Sequence, residues 1–207
     1  MDKNRVKNGT MPITPFTKKS HRQEILKRIE NVDWAIVSIQ INHQLQTYFK
    51  DQSSLIIAGF TQHKDEPDIL PFLRFWQQKG GTCCLPVVVA SDQPLIFRVW
   101  DLEKPLVKGS YGIWVPAETE SESIPDVVLT PLVSFDRQGS RLGRGAGHYD
   151  RTIKALRNNN KKPLVIGVAI HQQFIEFLET EPHDEPLDGV VTDKEILRFR
   201  ELRSVIN

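Results

Sequence analysis

The residues best suited to chemistry lie in one glycine-rich segment, RLGRGAGHYDR, which spans Arg141 to Arg151. Glycine leaves its backbone N–H unobstructed by a side chain and readily adopts positive φ angles. Successive free N–H groups form a concave site for an anion, and the positive end of a following helix strengthens that site. The segment therefore predicts a phosphate-binding loop.

Arginines accompany the glycines, and the planar guanidinium group can donate two hydrogen bonds to one phosphate. A glycine-rich loop alone is often only a turn, so the combination of both residue types carries the prediction. The glycines are Gly139, Gly143, Gly145 and Gly147, and the arginines are Arg137, Arg141, Arg144 and Arg151. The segment has neither the Gly-Lys-Ser/Thr of a Walker A loop nor the G-x-G-x-x-G spacing of a dinucleotide site.

Asp150 lies in the first turn of the helix predicted to follow the loop. In that place a carboxylate can offset the helix dipole, which is a purely structural role. It can also bind Mg²⁺, which normally takes one or two carboxylates together with phosphate oxygens. The residues alone leave both roles open.

Strands and helices must position this loop, and the strongest predicted strand, residues 127–135, directly precedes it. Further buried strands are predicted at residues 55–60, 82–90 and 164–171, with an antiparallel edge strand at 95–100. Helices are predicted from a capping box at 20–23, through 36–49, from Pro67 to Trp76, from His148 to Arg157, through 174–178, and from Asp193. The alternation predicts an α/β fold, a single-domain, mostly parallel doubly wound sheet with helices on both faces.

Length and composition fit one such domain, predicted at residues 18–207 and preceded by a flexible arm at residues 1–17. The net charge of +1 gives no global attraction to nucleic acid or membrane. No apolar run is long enough to span a bilayer, and the N-terminus lacks the apolar core of a secretory signal. Cys83 and Cys84 are adjacent, a spacing that seldom allows a disulfide. These features predict a cytoplasmic protein.

The segment from Pro131 to Arg151 resembles the signature of the 5-formyltetrahydrofolate cyclo-ligases, also called methenyltetrahydrofolate synthetases. Other segments resemble that family in the same order along the chain, so the resemblance covers about residues 18 to 197. They are KKSHR from Lys18, FTQHKDEPDI from Phe60, YGIW from Tyr111 and EPHDEPLDGVVTD from Glu181.

This resemblance implies an enzyme that uses ATP and Mg²⁺ to cyclise 5-formyltetrahydrofolate to 5,10-methenyltetrahydrofolate. It implies phosphorylation of the formyl oxygen, attack by N10 and loss of phosphate. The expected partners are therefore 5-formyltetrahydrofolate and ATP, without nucleic acid or membrane, and the chain is expected to be a monomer or weak homodimer.

The resemblance also assigns roles residue by residue. Asp150 and Asp184 match the Mg²⁺ positions, and Arg144, His148 and Tyr149 are the expected catalytic residues. ATP is expected to contact Lys18, Arg22, Arg141, Gly143, Arg144, Gly145, Ala146, Gly147, His148, Tyr149 and Arg151. The folate substrate is expected to contact Thr61, Glu66, Tyr111 and Trp114. Without the resemblance, Lys18 and Arg22 would be read as a solvated helix face, Glu66 as a helix cap and Asp184 as a turn residue.

The chain departs from the family pattern at a few positions. Arg144 and His148 stand where the loop commonly has tyrosines, and Val115 stands where the G-I-x-E-P motif has a glutamate. These departures support a second hypothesis, that the chain is a catalytically impaired relative that binds folate or nucleotide. A third hypothesis is a sugar-phosphate isomerase or hydrolase with a similar sheet, because one fold can support several functions.

Overall fold

A seven-stranded sheet organises the part of the chain that this computed structural model describes, residues 17–159 and 161–199. The strands are β1 (Ile56–Ala58), β2 (Thr82–Val87), β3 (Ile96–Val99), β4 (Val107–Lys108), β5 (Trp114–Val115), β6 (Val127–Pro131), β7 (Ser134–Phe135), β8 (Arg141–Leu142), β9 (Leu164–Val168), β10 (Gly189–Val191) and β11 (Ile196–Arg198). The large sheet has the order β11-β10-β9-β6-β1-β2-β3, while β4-β5 and β7-β8 form separate two-stranded sheets.

The inner strands of the large sheet run parallel, and each edge strand runs antiparallel to its neighbour. The predicted edge strand is β3, which pairs with β2 in antiparallel orientation. The predicted mostly parallel α/β sheet is therefore confirmed. Apart from Thr17, the predicted arm at residues 1–17 lies outside the described residues.

Helices cover both faces of this sheet. They are α1 (Lys18–Arg28), α2 (Trp34–Tyr48), α3 (Leu70–Gln78) and α4 (His148–Asn158). Alternation along the strands explains the two layers, since successive side chains point to opposite faces. On β1, Ile57 packs in the cluster that contains α2 and α3 residues, whereas Ala58 packs in the cluster that contains Leu156 of α4. Among the described residues, no helix is long and apolar enough to cross a membrane.

Two predicted helix starts are wrong. Thr17, not Ser20, caps α1, and its side chain accepts a hydrogen bond from the Ser20 backbone N–H at 3.2 Å. The third helix begins at Leu70 rather than at Pro67. There the Asp68 carboxylate accepts from the Leu70 N–H at 2.9 Å, which satisfies a donor of the first turn. Residues 61–69 are consequently irregular and free to line a cavity.

The predicted helix through residues 174–178 is also wrong, since only a short 3-10 turn, His171–Gln173, forms there. The side chain of Gln173 explains the change, because it donates to the Leu132 carbonyl and accepts from the Ile170 N–H, both at 2.8 Å. Phe174 then packs against Phe135 with ring centroids 5.7 Å apart. Contacts with Leu132 and Phe135 thus hold this segment in a non-helical conformation.

The helix predicted from Asp193 is wrong over its described part, where residues 196–198 form β11. The Thr192 hydroxyl accepts from the N–H groups of Lys194 and Glu195, which closes a turn between β10 and β11. Pairing with β11 satisfies the outer edge of β10. Residues beyond Phe199 lie outside the described part of the chain.

Candidate active site

A cavity of about 410 Å³ opens where the parallel strands end. Its wall includes Phe60 after β1, Val88 after β2 and Pro131 at the end of β6. This edge is where ligands bind in open parallel sheets, because the loops that leave the strands diverge there. The sequence predicted a site at this edge of the sheet, and a cavity lined by several charged groups lies there.

The glycine-rich loop forms one side of this cavity. The β7–β8 hairpin supports it from below, and Gly147 caps α4 with φ of 69°. Gly145 also has a positive φ of 111°. The positive φ makes a side chain strained at Gly147, and an added Cβ would lie 2.7 Å from an Arg151 nitrogen, so it would also have to displace that side chain. The loop from Gly143 to Gly147 lines the cavity, whereas Gly139 serves the hairpin turn near Leu187.

The arginines divide into two groups. Arg141 and Arg144 line the cavity, but Arg137 and Arg151 are absent from its wall. The Arg137 guanidinium lies 5.2 Å above the Phe174 ring. Arg151 supports the loop from outside, donating to the Ala146 carbonyl at 2.7 Å and to the Ser91 carbonyl at 2.8 Å. The prediction that all four arginines surround the anion site is therefore wrong for Arg137. Arg151 instead stabilises the conformation of the loop.

Helix α1 supplies further positive charge. Lys18 and Arg22 both line the cavity, one helical turn apart on the same face. The Arg22 Nε donates to the Gly143 carbonyl at 2.7 Å, which joins α1 to the loop. The solvated-face alternative for these two residues is therefore wrong.

Each of three cavity cations is paired with at least one carboxylate, and for Lys18 and Arg144 the partners come from distant segments. Lys18 contacts Glu181 and Asp184, both at 2.6 Å. The other two pairs are Arg141 with Asp150 at 2.6 Å and Arg144 with Glu66 at 3.1 Å. The cavity is consequently close to neutral although it is rich in charged groups.

These pairings shift the proton affinities of the groups. Partial burial is the largest single influence on Lys18 and Asp184 and opposes ionisation of both, but the hydrogen bonds and charges of their neighbours together outweigh it. Asp184 and Glu181 raise the pKa of Lys18, and Lys18 with the Glu181 backbone N–H lowers the pKa of Asp184. At Glu66 burial dominates and raises the pKa, with the Arg144 guanidinium acting in the opposite direction. Glu66 is therefore a carboxylate whose ionised form depends on a cationic or hydrogen-bonding neighbour.

A group of possible metal ligands lies beside Lys18. Single atoms of Glu181, His183 and Asp184 lie within 4.8 Å of one another. The carboxylate oxygens suit Mg²⁺, which prefers hard oxygen ligands. Asp150 lines the same cavity but belongs to a different cluster, where its Oδ1 accepts from Arg141 and from the Glu185 N–H. Neither Glu181 nor His183 was predicted from the sequence, although both lie in the EPHDEP segment.

The opposite wall holds most of the predicted folate contacts. Thr61, Glu66 and Tyr111 line the cavity, and Val115 lies among its apolar residues. Trp114 does not line it, because its side chain is exposed; its carbonyl accepts from the Thr61 hydroxyl at 3.0 Å.

His63 also lines the cavity on this side and was not predicted. Its backbone N–H donates to Glu66 at 3.2 Å, and the sequence signal was its position three residues before that glutamate.

Comparisons with known proteins match most of this chain. The sequence model of the 5-formyltetrahydrofolate cyclo-ligase family matches residues 17–193. A relative named 5-formyltetrahydrofolate cyclo-ligase from Haemophilus influenzae is 38% identical over 182 residues, covering 82% of this chain and 96% of the relative. One of the same name from Mycolicibacterium smegmatis is 34% identical over 152 residues, covering 69% of this chain and 75% of the relative. The solved structure of Aquifex aeolicus 5,10-methenyltetrahydrofolate synthetase has a TM-score of 0.72 at 28% identity, covering 92% of this chain and 96% of that one.

Proposed function

We propose a reaction for this chain from the premise that it belongs to the 5-formyltetrahydrofolate cyclo-ligase family, whose sequence model covers residues 17–193. The reaction is the ATP-dependent cyclisation of 5-formyltetrahydrofolate to 5,10-methenyltetrahydrofolate, with release of ADP and phosphate. The observation that supports it best is that Glu66, the Gly143–Gly147 loop and Asp184 line a single cavity. Two substrates can therefore meet there.

The chemistry requires activation of an unreactive formamide. The formyl oxygen attacks the γ-phosphorus of ATP, and ADP leaves with the electrons of the broken P–O bond. N10 then attacks the formyl carbon and loses its proton, and phosphate departs with the electrons of the C–O bond as the ring closes. Because no protein nucleophile is needed, the enzyme contributes positioning and charge neutralisation.

The glycine-rich loop and its cations are proposed to bind the ATP phosphates. Backbone N–H groups from Gly143 to Gly147 and the first turn of α4 provide donors, as at other helix-terminal phosphate sites. Lys18, Arg22 and Arg144 are proposed to neutralise the transferring phosphoryl group. His148 and Tyr149, which line the cavity at the start of α4, are proposed to contact the nucleotide or the transferring group. Arg151 is proposed to hold the loop in its binding conformation rather than to touch phosphate.

Asp184 and Asp150 are proposed to hold Mg²⁺, with Glu181 as a further oxygen ligand beside Asp184. The donor chemistry fits the ion, because Glu181 and Asp184 have carboxylate oxygens within 4.8 Å of each other and Asp150 lines the same cavity in a neighbouring cluster. When bound, Mg²⁺ would neutralise charge on the phosphates and orient them. The protein residues hold the ion, keep Lys18 close to the phosphates and leave room for the folate opposite.

The folate is proposed to bind against the opposite wall. The Glu66 carboxylate would accept hydrogen bonds from the N–H edge of the pterin ring, which suits a buried acceptor. The apolar wall, which includes Ile113 and Val115, would pack against the ring. Thr61 and Tyr111 are proposed to bound this part of the cavity. We also propose a cytoplasmic location and a monomeric or weakly dimeric state.

The decisive experiment is a direct assay of the reaction. Purified protein with 5-formyltetrahydrofolate, ATP and Mg²⁺ should produce the near-ultraviolet absorption band of the methenyl product, and the band should require ATP and Mg²⁺. Folded protein that binds ATP without forming the band would contradict the proposal. Tight binding of 5-formyltetrahydrofolate without turnover would instead identify an impaired relative, the alternative that Val115 and His148 keep open.

A further inference from the structure

Glu66 does more in this structure than face the cavity, because both of its carboxylate oxygens are engaged by protein donors. The Arg144 Nε donates to Oε1 at 3.1 Å, and the His63 backbone N–H donates to Oε2 at 3.2 Å. Only 7% of Glu66 is exposed, so little space surrounds the carboxylate. A pterin N–H donor that approaches Oε1 must therefore compete with Arg144 for that oxygen.

Arg144 has two competing destinations. Glu66 and Asp65, whose carboxylate lies 3.9 Å from Arg144, draw the guanidinium toward the folate wall. The backbone of Arg144 nevertheless belongs to the phosphate-binding loop, between Gly143 and Gly145. While its Nε donates to Glu66, the guanidinium cannot present its Nε–H edge to a phosphate and stays beside the folate wall.

We propose that Glu66 is a positioning residue that holds Arg144 away from the nucleotide until the folate takes its place. This inference rests on the proposed function, and it gives that function an order. When the pterin binds Glu66, Arg144 is released toward the phosphates. Each substrate then increases the affinity for the other by the same factor, as linkage requires.

Features of the loop permit this movement. Gly145 has a φ of 111°, and glycine on both sides allows the backbone at Arg144 to rotate at low cost. The Arg144 side chain is 36% exposed, so its exchange between carboxylate and phosphate does not require the core to open. The pair with Glu66 spans 78 residues of sequence and joins two irregular segments, not two rigid elements.

The test measures binding without turnover. Isothermal titration calorimetry gives the Kd of Mg²⁺ with β,γ-imido-ATP for the full chain, with and without saturating 5-formyltetrahydrofolate. We expect the folate to tighten nucleotide binding by about tenfold, within the usual range of coupling between sites. Equal Kd values in both conditions would overturn the inference even if the protein turns substrate over normally.

Glu66→Gln provides the sharper test, because it removes a proposed folate ligand yet should improve nucleotide binding. The neutral amide holds Arg144 weakly, so the variant without folate should bind the analogue about tenfold more tightly than the unmodified protein, with the coupling lost. Asp65→Asn is the matched control, since it removes the same charge one residue away from a more distant partner. It should change the Kd by less than twofold.

The double variant Glu66→Gln with Arg144→Gln separates release of Arg144 from simple loss of negative charge. If Arg144 carries the effect, the double variant should not bind more tightly than Arg144→Gln alone. An equal gain in that background, or an equal gain in Asp65→Asn, would overturn the inference. Unmodified protein that binds neither ligand would overturn the proposed function as well, whereas binding of both without coupling would overturn the inference alone.

Discussion

The charged side chains of the cavity act in pairs, and this pairing determines what each residue can do. Lys18, Arg141 and Arg144 have separate carboxylate partners, and each partner is itself a proposed ligand for Mg²⁺ or folate. Removing one partner from a partly buried pair leaves a charge with poor solvation, which costs more than the pair contributes. The Lys18 pair is partly exposed to water, so removing this cation should change ligand affinity more than fold stability.

Lys18 offers a direct test at this scale. Lys18→Met removes an ammonium group proposed to contact the ATP phosphates while keeping most of the aliphatic chain. A hydrogen bond to a charged group contributes about 1.5–3 kcal/mol, so the KM for ATP should rise by roughly 10- to 100-fold. The KM for 5-formyltetrahydrofolate should change much less, and steady-state kinetics with each substrate varied measures both constants.

Lys19→Met is the matched control, because Lys19 occupies the next position of the same helix, is exposed and does not line the cavity. Its KM for ATP should stay within twofold of the original value. Similar effects of the two substitutions would show that α1 contributes only general positive charge.

The loop element depends on glycine at Gly147, where φ is positive and where space is also lacking. Gly147→Ala should destabilise the protein by about 1–2 kcal/mol from the left-handed conformation, with a further cost from displacing Arg151. Because Arg151 holds the Ala146 carbonyl, the loop should shift and the KM for ATP should rise. Urea unfolding and steady-state kinetics together measure the two effects.

Gly80→Ala separates the two causes. Gly80 has a φ of 87°, but an added Cβ would meet nothing within 4 Å, and the residue lies far from the cavity wall in the described structure. This variant should lose about 1 kcal/mol of stability and keep its kinetic constants. A change in the KM for ATP in Gly80→Ala would show that the kinetic effect of Gly147→Ala arises from lost stability.

The strand and the helix on either side of the loop were predictable because the residues that indicate them lie within those elements. The apolar run at residues 127–135 is sufficient to indicate a strand. The glycines before His148 are sufficient to indicate a helix start. Residues 174–178 and 196–198 carry weaker signals, and their conformations follow from partners elsewhere in the chain. Gln173 bonds to Leu132, and β11 pairs with β10, so neither outcome could be deduced from local spacing.

The site residues divide in the same way. The loop was predictable from glycine and arginine content, whereas Glu66 and Asp184 required the family resemblance, because each alone reads as a cap or a turn. The ion pairs were not predictable at all. Lys18 and Asp184 are 166 residues apart in the sequence, and only folding of the chain brings them together. Glu181 was missed for the same reason, whereas His63 was missed although its partner Glu66 is only three residues away.

Over the described chain as a whole, separate segments meet at the cavity and five of them contain the proposed ligand contacts, so binding should be visible as protection spread along the sequence. The segments are residues 18–22, 60–66, 110–115, 141–150 and 181–184. Ligands that bind only the folded state suppress the opening that exposes backbone amides. Hydrogen exchange followed by mass spectrometry can assign this protection to each segment and to each ligand.

The two ligands should protect different sets of segments if the cavity is divided as proposed. Mg²⁺ with β,γ-imido-ATP should slow exchange at residues 18–22, 141–150 and 181–184, and 5-formyltetrahydrofolate should slow it at 60–66 and 110–115. The middle of α2, residues 38–46, is the internal control because none of it lines the cavity. Protection by the nucleotide at residues 60–66 instead of at the glycine-rich loop would reverse the assignment of the two walls. Equal protection everywhere, including α2, would indicate global stabilisation and leave the proposed division without support.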